Sequence, residues 1–283
     1  MQIWIVSAVV AIGCGTPASA DAPADFGHHI DALRVKLRAH GLGKLAILVE
    51  APFVVVGNDT SAVLERRAQT VRWAVGHFEK ELFEHRPTTI LDVYLFNDAD
   101  SYNAGVKALT GEAPTTPYGF YSKTQGGLFM NIATGGGTLV HEIVHPYVEA
   151  DFPNAPPWLN EGLGSLFEQS DEHDGHIVGL TNWRLAGLQR AIHRGSVPSF
   201  KQLTHMDTAT FYADNTGVHY AESRYLLYYL QDKGLLHAFY RRFRDARLKD
   251  PSGFGTLAAV LGERDMDDFK KRWETYVSEL TFP

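Results

Sequence analysis

Cysteine is almost absent from this chain of 283 residues. Cys14 stands alone, so no disulfide can form within the chain. Long basic runs are missing too: 26 Lys and Arg against 33 Asp and Glu leave a net charge of -7. That balance gives no footprint for a nucleic-acid partner. Long apolar runs are scarce as well. The stretch 3–13 is too short to cross a bilayer as a helix. No internal repeat and no low-complexity segment is found. What remains is a globular composition, 45% hydrophobic and 12% aromatic, rich enough to build a real core. The length suits one large domain or two small ones.

Residues 1–20 read as an export signal. An apolar stretch is followed by Ala18-Ser19-Ala20, a small-x-small cleavage pattern, and then by polar, proline-containing sequence. The start, Met1-Gln2, departs from the pattern in carrying no Lys or Arg. The other reading of this segment is a buried N-terminal helix or strand. Ala11-Ile12-Gly13-Cys14 resembles a lipobox with Ala where Leu is usual, which makes Cys14 a candidate lipid anchor. Cleavage after Ala20 would instead remove it. The expectation is an exported protein, periplasmic or secreted, with no transmembrane helix in the mature chain.

Residues 21–43 read as a tail or short helix, with His28-His29 in a flexible segment. Strands are expected over 46–49, 53–56, 90–96 and 128–132, where β-branched and aromatic residues cluster. Leu91, Val93 and Leu95 should share one face of the third of these. A long helix is expected over 59–86, because Leu64, Ala68, Val71, Val75, Phe78 and Leu82 step along one helical face. Asp59 or Thr60 can cap it and Pro87 can stop it. A short helix over 99–109 follows. Beyond Glu168 the pattern is mostly helical, with helices expected over 182–193, 219–232, 235–247 and 265–280. The fold class is therefore α+β, strand-rich first and helical later.

The chemistry concentrates at His141-Glu142-Ile143-Val144-His145, opened by Gly135-Gly136-Gly137. Two residues four apart on a helix share a face, so both imidazoles can address one cation. Glu142, rotated by about 100°, can reach a water beside that cation. This is why the H-E-x-x-H spacing recurs in metalloproteases. Pro146 follows at once, lacks the N–H that would bond the Glu142 carbonyl, and predicts a kink or an end at His145. A catalytic zinc needs a third ligand and an open position. Glu161, in Trp158-Leu159-Asn160-Glu161-Gly162 on an expected helix over 158–169, is the candidate. Gly162, Gly164 and Ser165 should let the two helices approach closely.

The stretch from Thr138 to His145, with Pro157 to Leu163, resembles the peptidase MA-like branch of the gluzincin metallopeptidases. The likeness covers roughly residues 45–280, though only these two motifs are specific. It implies a zincin-like fold: a catalytic core over 44–169 and a helical subdomain over 170–283, after the signal and the N-terminal segment 21–43. It implies one Zn2+ on His141, His145 and Glu161, with Glu142 as the base. His219-Tyr220-Ala221-Glu222-Ser223 is similar to the family segment that carries an oxyanion donor. That favours Tyr220, with His219, Tyr212 and Tyr225 as competitors. The resemblance also makes the strand before the motif helix an edge strand that pairs with extended substrate. Gly127-Leu128-Phe129-Met130-Asn131 has Met130 where related aminopeptidases grip a free amino terminus with Glu, which favours endopeptidase action.

The expected activity is thus hydrolysis of a peptide or protein by zinc-activated water. Two rival classes stand beside it: a non-hydrolytic zinc-bearing module that binds peptide or cell-envelope material, and a zinc hydrolase of a non-peptide amide. The polar stretch Asp171-Glu172-His173-Asp174-Gly175-His176 reads as a solvated loop, with a second cation site as its alternative. The basic stretch from Arg241 to Arg247 reads as the wet side of a helix whose apolar side holds Leu236, Phe239 and Phe243.

Overall fold

Side chains alternate between the faces of a strand, and a strand apolar on both sides must be covered on both. Phe53–Gly57, Leu91–Phe96 and Gly127–Asn131 are buried at every residue. In the computed structural model, which describes residues 25–213 and 215–282, they form the interior of a five-stranded sheet. The expected signal segment and Cys14 lie outside the described residues. In chain order the first half runs α1 (Phe26–Ala39), β1 (Ala46–Glu50), β2 (Phe53–Gly57), α2 (Ser61–His77), β3 (Leu91–Phe96), α3 (Ala99–Thr110), β4 (Gly119–Ser122), β5 (Gly127–Asn131), α4 (Gly137–Asp151) and α5 (Pro157–Phe167).

The sheet order is β1-β2-β3-β5-β4. The inner pairs are parallel and the outer pairs antiparallel, so the sheet is mixed and the fold is α+β. Val54, Val56, Tyr94, Phe96 and Phe129 face α1 and α3. Phe53, Val55, Leu91, Val93, Leu95, Leu128 and Met130 face α2 and α4. The second face continues without a break into the helical half, and one apolar core runs from Phe53 to Val277.

Four local outcomes differ from the sequence expectation. First, the long helix does not reach Arg86: α2 ends at His77 and passes into a π-helical turn, Phe78–Leu82. The wider turn keeps Phe78 and Leu82 in the core while Glu79 reaches Tyr147 and Glu81 reaches His77. Second, α4 does not end at His145 but continues through Pro146 to Asp151. Proline removes one backbone bond, and the burial of Tyr147, Val148 and Asp151 holds the following turns in place. Third, β5 is not an edge. The short strand β4, not expected from sequence, covers it and becomes the edge. Gly119 on β4 permits this, because a Cβ there would sit 2.7 Å from the Met130 sulfur. Fourth, His29 is not in a flexible segment but on α1, its Nε2 2.8 Å from Asp92.

The second half holds β6 (Ser170–His173), β7 (His176–Gly179), α6 (Leu185–His193), α7 (Phe200–Thr204), α8 (Thr208–Phe211), α9 (Thr216–Asp232), α10 (Leu236–Ala246), α11 (Phe254–Leu261) and α12 (Met266–Glu279). Helices dominate as expected. The polar stretch 171–176, however, is a hairpin and not a loop. Asp174 and Gly175 turn at φ 52° and 76°, the two left-handed positions a tight hairpin requires. Helix α10 buries Leu236, Phe239 and Phe243 as expected, with Arg244 buried as well. No helix among the described residues is long and apolar enough to cross a membrane.

Asp151, the last residue of α4, ties the halves together. Its carboxylate accepts the backbone N–H groups of Glu84 and His85 at 3.0 and 2.8 Å. It also accepts the Tyr240 hydroxyl at 2.9 Å and the Arg244 guanidinium at 3.1 Å. Burial works to raise its pKa, but the His85 and Tyr240 bonds and the Arg244 charge outweigh burial and leave it lowered from 3.8. Removing one partner of such a buried pair costs about 3 to 5 kcal/mol. We predict that loss for Asp151→Ala in urea unfolding; a loss below about 1 kcal/mol would refute the role. Because the folded value is the lower one, this stability is complete above pH 3.8 and is lost as pH falls through the folded value. Asp151→Asn should flatten that part of the acid-unfolding curve.

Candidate metal centre

Helix α4 is apolar on nearly all sides, so it lies buried between the sheet and the helical half. It turns His141 and His145 to Glu161 of α5, with Glu142 on the neighbouring side beside β4. Pro157 starts α5, a position where the missing N–H costs nothing, and Glu161 follows one turn later. Two glycines set the approach of the helices. A Cβ on Gly164 would lie 2.9 Å from the His141 ring, and one on Gly137 would lie 2.0 Å from the Glu168 carbonyl oxygen. Gly162, expected to serve the same contact, instead faces α9, where its Cβ would meet Leu227 and Ser223. Ser165 is fully buried.

His141, His145 and Glu161 converge as the spacing predicted. Their donor atoms lie within 4.8 Å of one another, and among the described residues this is the one such group that could hold a metal ion. His141 Nε2 is 3.2 Å from Glu161 Oε2, and His145 Nε2 is 3.9 Å from the same oxygen. Donors around a tetrahedral zinc, each at about 2.0 to 2.1 Å, stand roughly 3.3 Å apart, a spacing the His141–Glu161 pair already has and toward which the other pairs would close on one ion. Glu142 Oε2 sits 3.8 Å from His145 Nε2. The group forms the floor of a cleft of about 620 Å³ walled by β4 on one side and by Tyr212 and Tyr220 on the other.

The outward ring nitrogens are also held. His141 Nδ1 lies 3.3 Å from Glu168, and His145 Nδ1 lies 3.0 Å from the Asn160 side-chain oxygen. A hydrogen bond to Nδ1 fixes the tautomer and turns Nε2 toward a metal. Glu168 is itself clamped: Arg184 donates to both its oxygens at 2.7 and 3.1 Å, and Asn182 donates at 2.7 Å. Sequence reasoning missed Glu168, Asn160 and Arg184. Glu168 had a signal, since it follows Glu161 by seven residues, two turns along the same helix. Arg184 had none, because the hairpin brings it back from outside α5.

Electrostatics favour a cation here. Burial pushes Glu142 up, with His145 and His141 only partly opposing it. Burial would raise Glu161 and Glu168 too, but the charge and bonds of the histidines, and Arg184 at Glu168, leave both lowered. Burial would lower His141, yet its bonds to Glu161 and Glu168 raise it. Among the described residues no Lys or Arg bonds Glu142 or Glu161. The pocket thus holds buried carboxylates that draw positive charge to the space between the two Nε2 atoms. Two imidazoles and a carboxylate are a zinc donor set, and the residues fit that ion.

Of the four oxyanion-donor candidates, two line the cleft. Tyr225 is fully buried and bonded to Asn182, and His219 bonds the Phe211 carbonyl at 2.9 Å. Tyr220 lines the cleft, its ring 6.5 Å from and nearly parallel to that of His141. Tyr212 lines it too and donates its hydroxyl to Glu161 Oε1. Burial first, then the Glu161 carboxylate, pushes both phenols far above their ordinary range. Both remain O–H donors at neutral pH. Met130 is fully buried in the core and does not line the cleft.

Glu168→Ala should lower zinc affinity about 10- to 100-fold while the far-UV circular dichroism stays unchanged, as loss of an outer hydrogen-bond partner does. Competition with a zinc-binding dye measures it, and unchanged affinity would remove Glu168 from the centre. Compared with known proteins, the chain matches no family model and no curated protein.

Proposed function

We propose that the protein is an exported zinc-dependent metallopeptidase with a zincin-like fold, similar to the gluzincins and acting as an endopeptidase. One observation carries the reading. Two imidazole Nε2 atoms and Glu161 converge at the floor of an open cleft, with a further buried carboxylate, Glu142, beside them. A site that only bound metal would have no use for that extra carboxylate. Export is read from residues 1–20.

Zinc bound by His141, His145 and Glu161 supplies Lewis acidity, which activates water near neutral pH and polarises a carbonyl oxygen. The residues of the chain do the rest. Glu142 accepts the proton of the attacking water and passes it to the leaving amine nitrogen. Tyr220 donates its hydroxyl to the oxyanion that develops on the scissile carbonyl, with Tyr212 beside it. An extended peptide adds to the free edge of β4 by main-chain hydrogen bonds.

The test measures zinc content and hydrolysis of a broad peptide panel. Wild type should hold about one zinc per chain, and Glu161→Ala should lose it. Glu142→Gln should keep the zinc and lose about 10²- to 10⁴-fold in kcat. Tyr220→Phe should lose about 10²-fold or more. Hydrolysis retained by Glu142→Gln would refute the assigned base. Wild type that holds zinc yet cleaves no peptide would refute the peptidase reading.

A further inference from the structure

Among the described residues three carboxylates line the cleft: Glu142, Glu149 and Glu161. The reading above commits the first and the last, and leaves Glu149. It lies on α4 four residues past His145, a rise of about 6 Å, which is the length of about two residues of extended peptide. Its Oε2 accepts the Tyr121 hydroxyl at 3.0 Å, so the edge strand β4 holds the carboxylate in one orientation. Its Oε1 takes the ammonium group of Lys123, just beyond β4. That contact shows that an alkylammonium fits this spot. Lys123 is 76% exposed and Glu149 33%. An ion pair so open to water contributes about 0 to 1 kcal/mol, so Lys123 is a displaceable occupant. Among the described residues no Lys or Arg lines the cleft. A cationic substrate group entering along β4 meets an oriented carboxylate, and an anionic one meets no partner.

We propose that Glu149 is a specificity-determining residue that selects peptides bearing an ammonium or guanidinium group about two residues from the scissile bond. The inference rests on the peptidase reading for the position of that bond. The cation displaces Lys123 from Oε1, while the Tyr121 bond to Oε2 is kept.

The test uses the full chain with zinc supplied. The substrates are peptides carrying lysine, norleucine or glutamate at each position in turn, each with a free and an acetylated amino terminus. Wild type should cleave the best lysine peptide about fivefold faster in kcat/KM than its norleucine counterpart. Glu149→Gln should level the two, Lys123→Gln should widen the gap, and Glu149→Lys should turn preference toward glutamate. Faster cleavage of lysine than of norleucine peptides reads a side-chain ammonium, and slower cleavage of both after acetylation reads the amino terminus. Cleavage without lysine preference, or a preference that survives Glu149→Gln, overturns the proposal and leaves the peptidase reading standing. Calorimetric binding of the same peptides to zinc-loaded Glu142→Gln protein reads selectivity without turnover. If wild type is inert on all peptides the peptidase reading fails by itself, and binding still decides: equal affinity for lysine and norleucine peptides overturns the role of Glu149. Tighter lysine binding that Glu149→Gln abolishes in the same background upholds it.

Discussion

The constraint on which this structure turns is the burial of carboxylates beside two imidazoles. Charge removed from water must be paired or neutralised, and Glu142 and Glu161 have no Lys or Arg bonded to them among the described residues. The histidines supply part of the compensation, and a divalent cation between their Nε2 atoms would supply the rest. Much of the surrounding architecture serves to hold that arrangement. Gly164 leaves room for the His141 ring, Gly137 lets the start of α4 meet the end of α5, and Glu168 and Asn160 fix the outward nitrogens.

That second layer links the centre to distant parts of the chain. Glu168 ends α5, but its partners Asn182 and Arg184 come after the hairpin β6–β7. The Arg184 guanidinium also lies 5.2 Å from the centre of the Tyr220 ring. One cation therefore touches both the group that orients His141 and the phenol proposed as oxyanion donor. The far end of α4 is held in a similar way, where Asp151 collects the loop at Glu84 and His85 together with Tyr240 and Arg244 of α10. Glu142 and the two histidines sit on a helix anchored at its last residue and packed along its length.

The cleft divides into a rigid floor and an edge. The floor is α4, whose residues are fixed by core packing. The edge is β4, four residues long and tied back to α4 by the Tyr121 hydroxyl on Glu149. A short edge strand limits unwanted pairing with other chains, and its outer side has no partner strand among the described residues.

The sequence by itself determined the elements whose signals are local. Alternation placed Leu91, Val93 and Leu95 on one face, helical stepping from Leu64 to Val75 marked α2, and i, i+4 spacing put His141 and His145 on one side of α4. The convergence of Glu161 with them was legible because two helices joined by a short connection pack against each other. Other features depended on long-range packing. Pro146 argues for a kink or an end when read locally, and burial of Tyr147 and Asp151 carries the helix past it. The residues of β4 carry too little pattern over four positions to be read as a strand, and the resemblance, which makes β5 the edge, gives no sign of it. Asp174-Gly175 did carry a hairpin signal that its charged neighbours obscured. Tyr212 and Glu149 reach the cleft and Arg184 reaches Glu168 from separate elements, and no sequence spacing encodes those positions. Backbone periodicity is a property of neighbours in the chain, whereas the pairing of buried charges is settled only when distant segments are brought together.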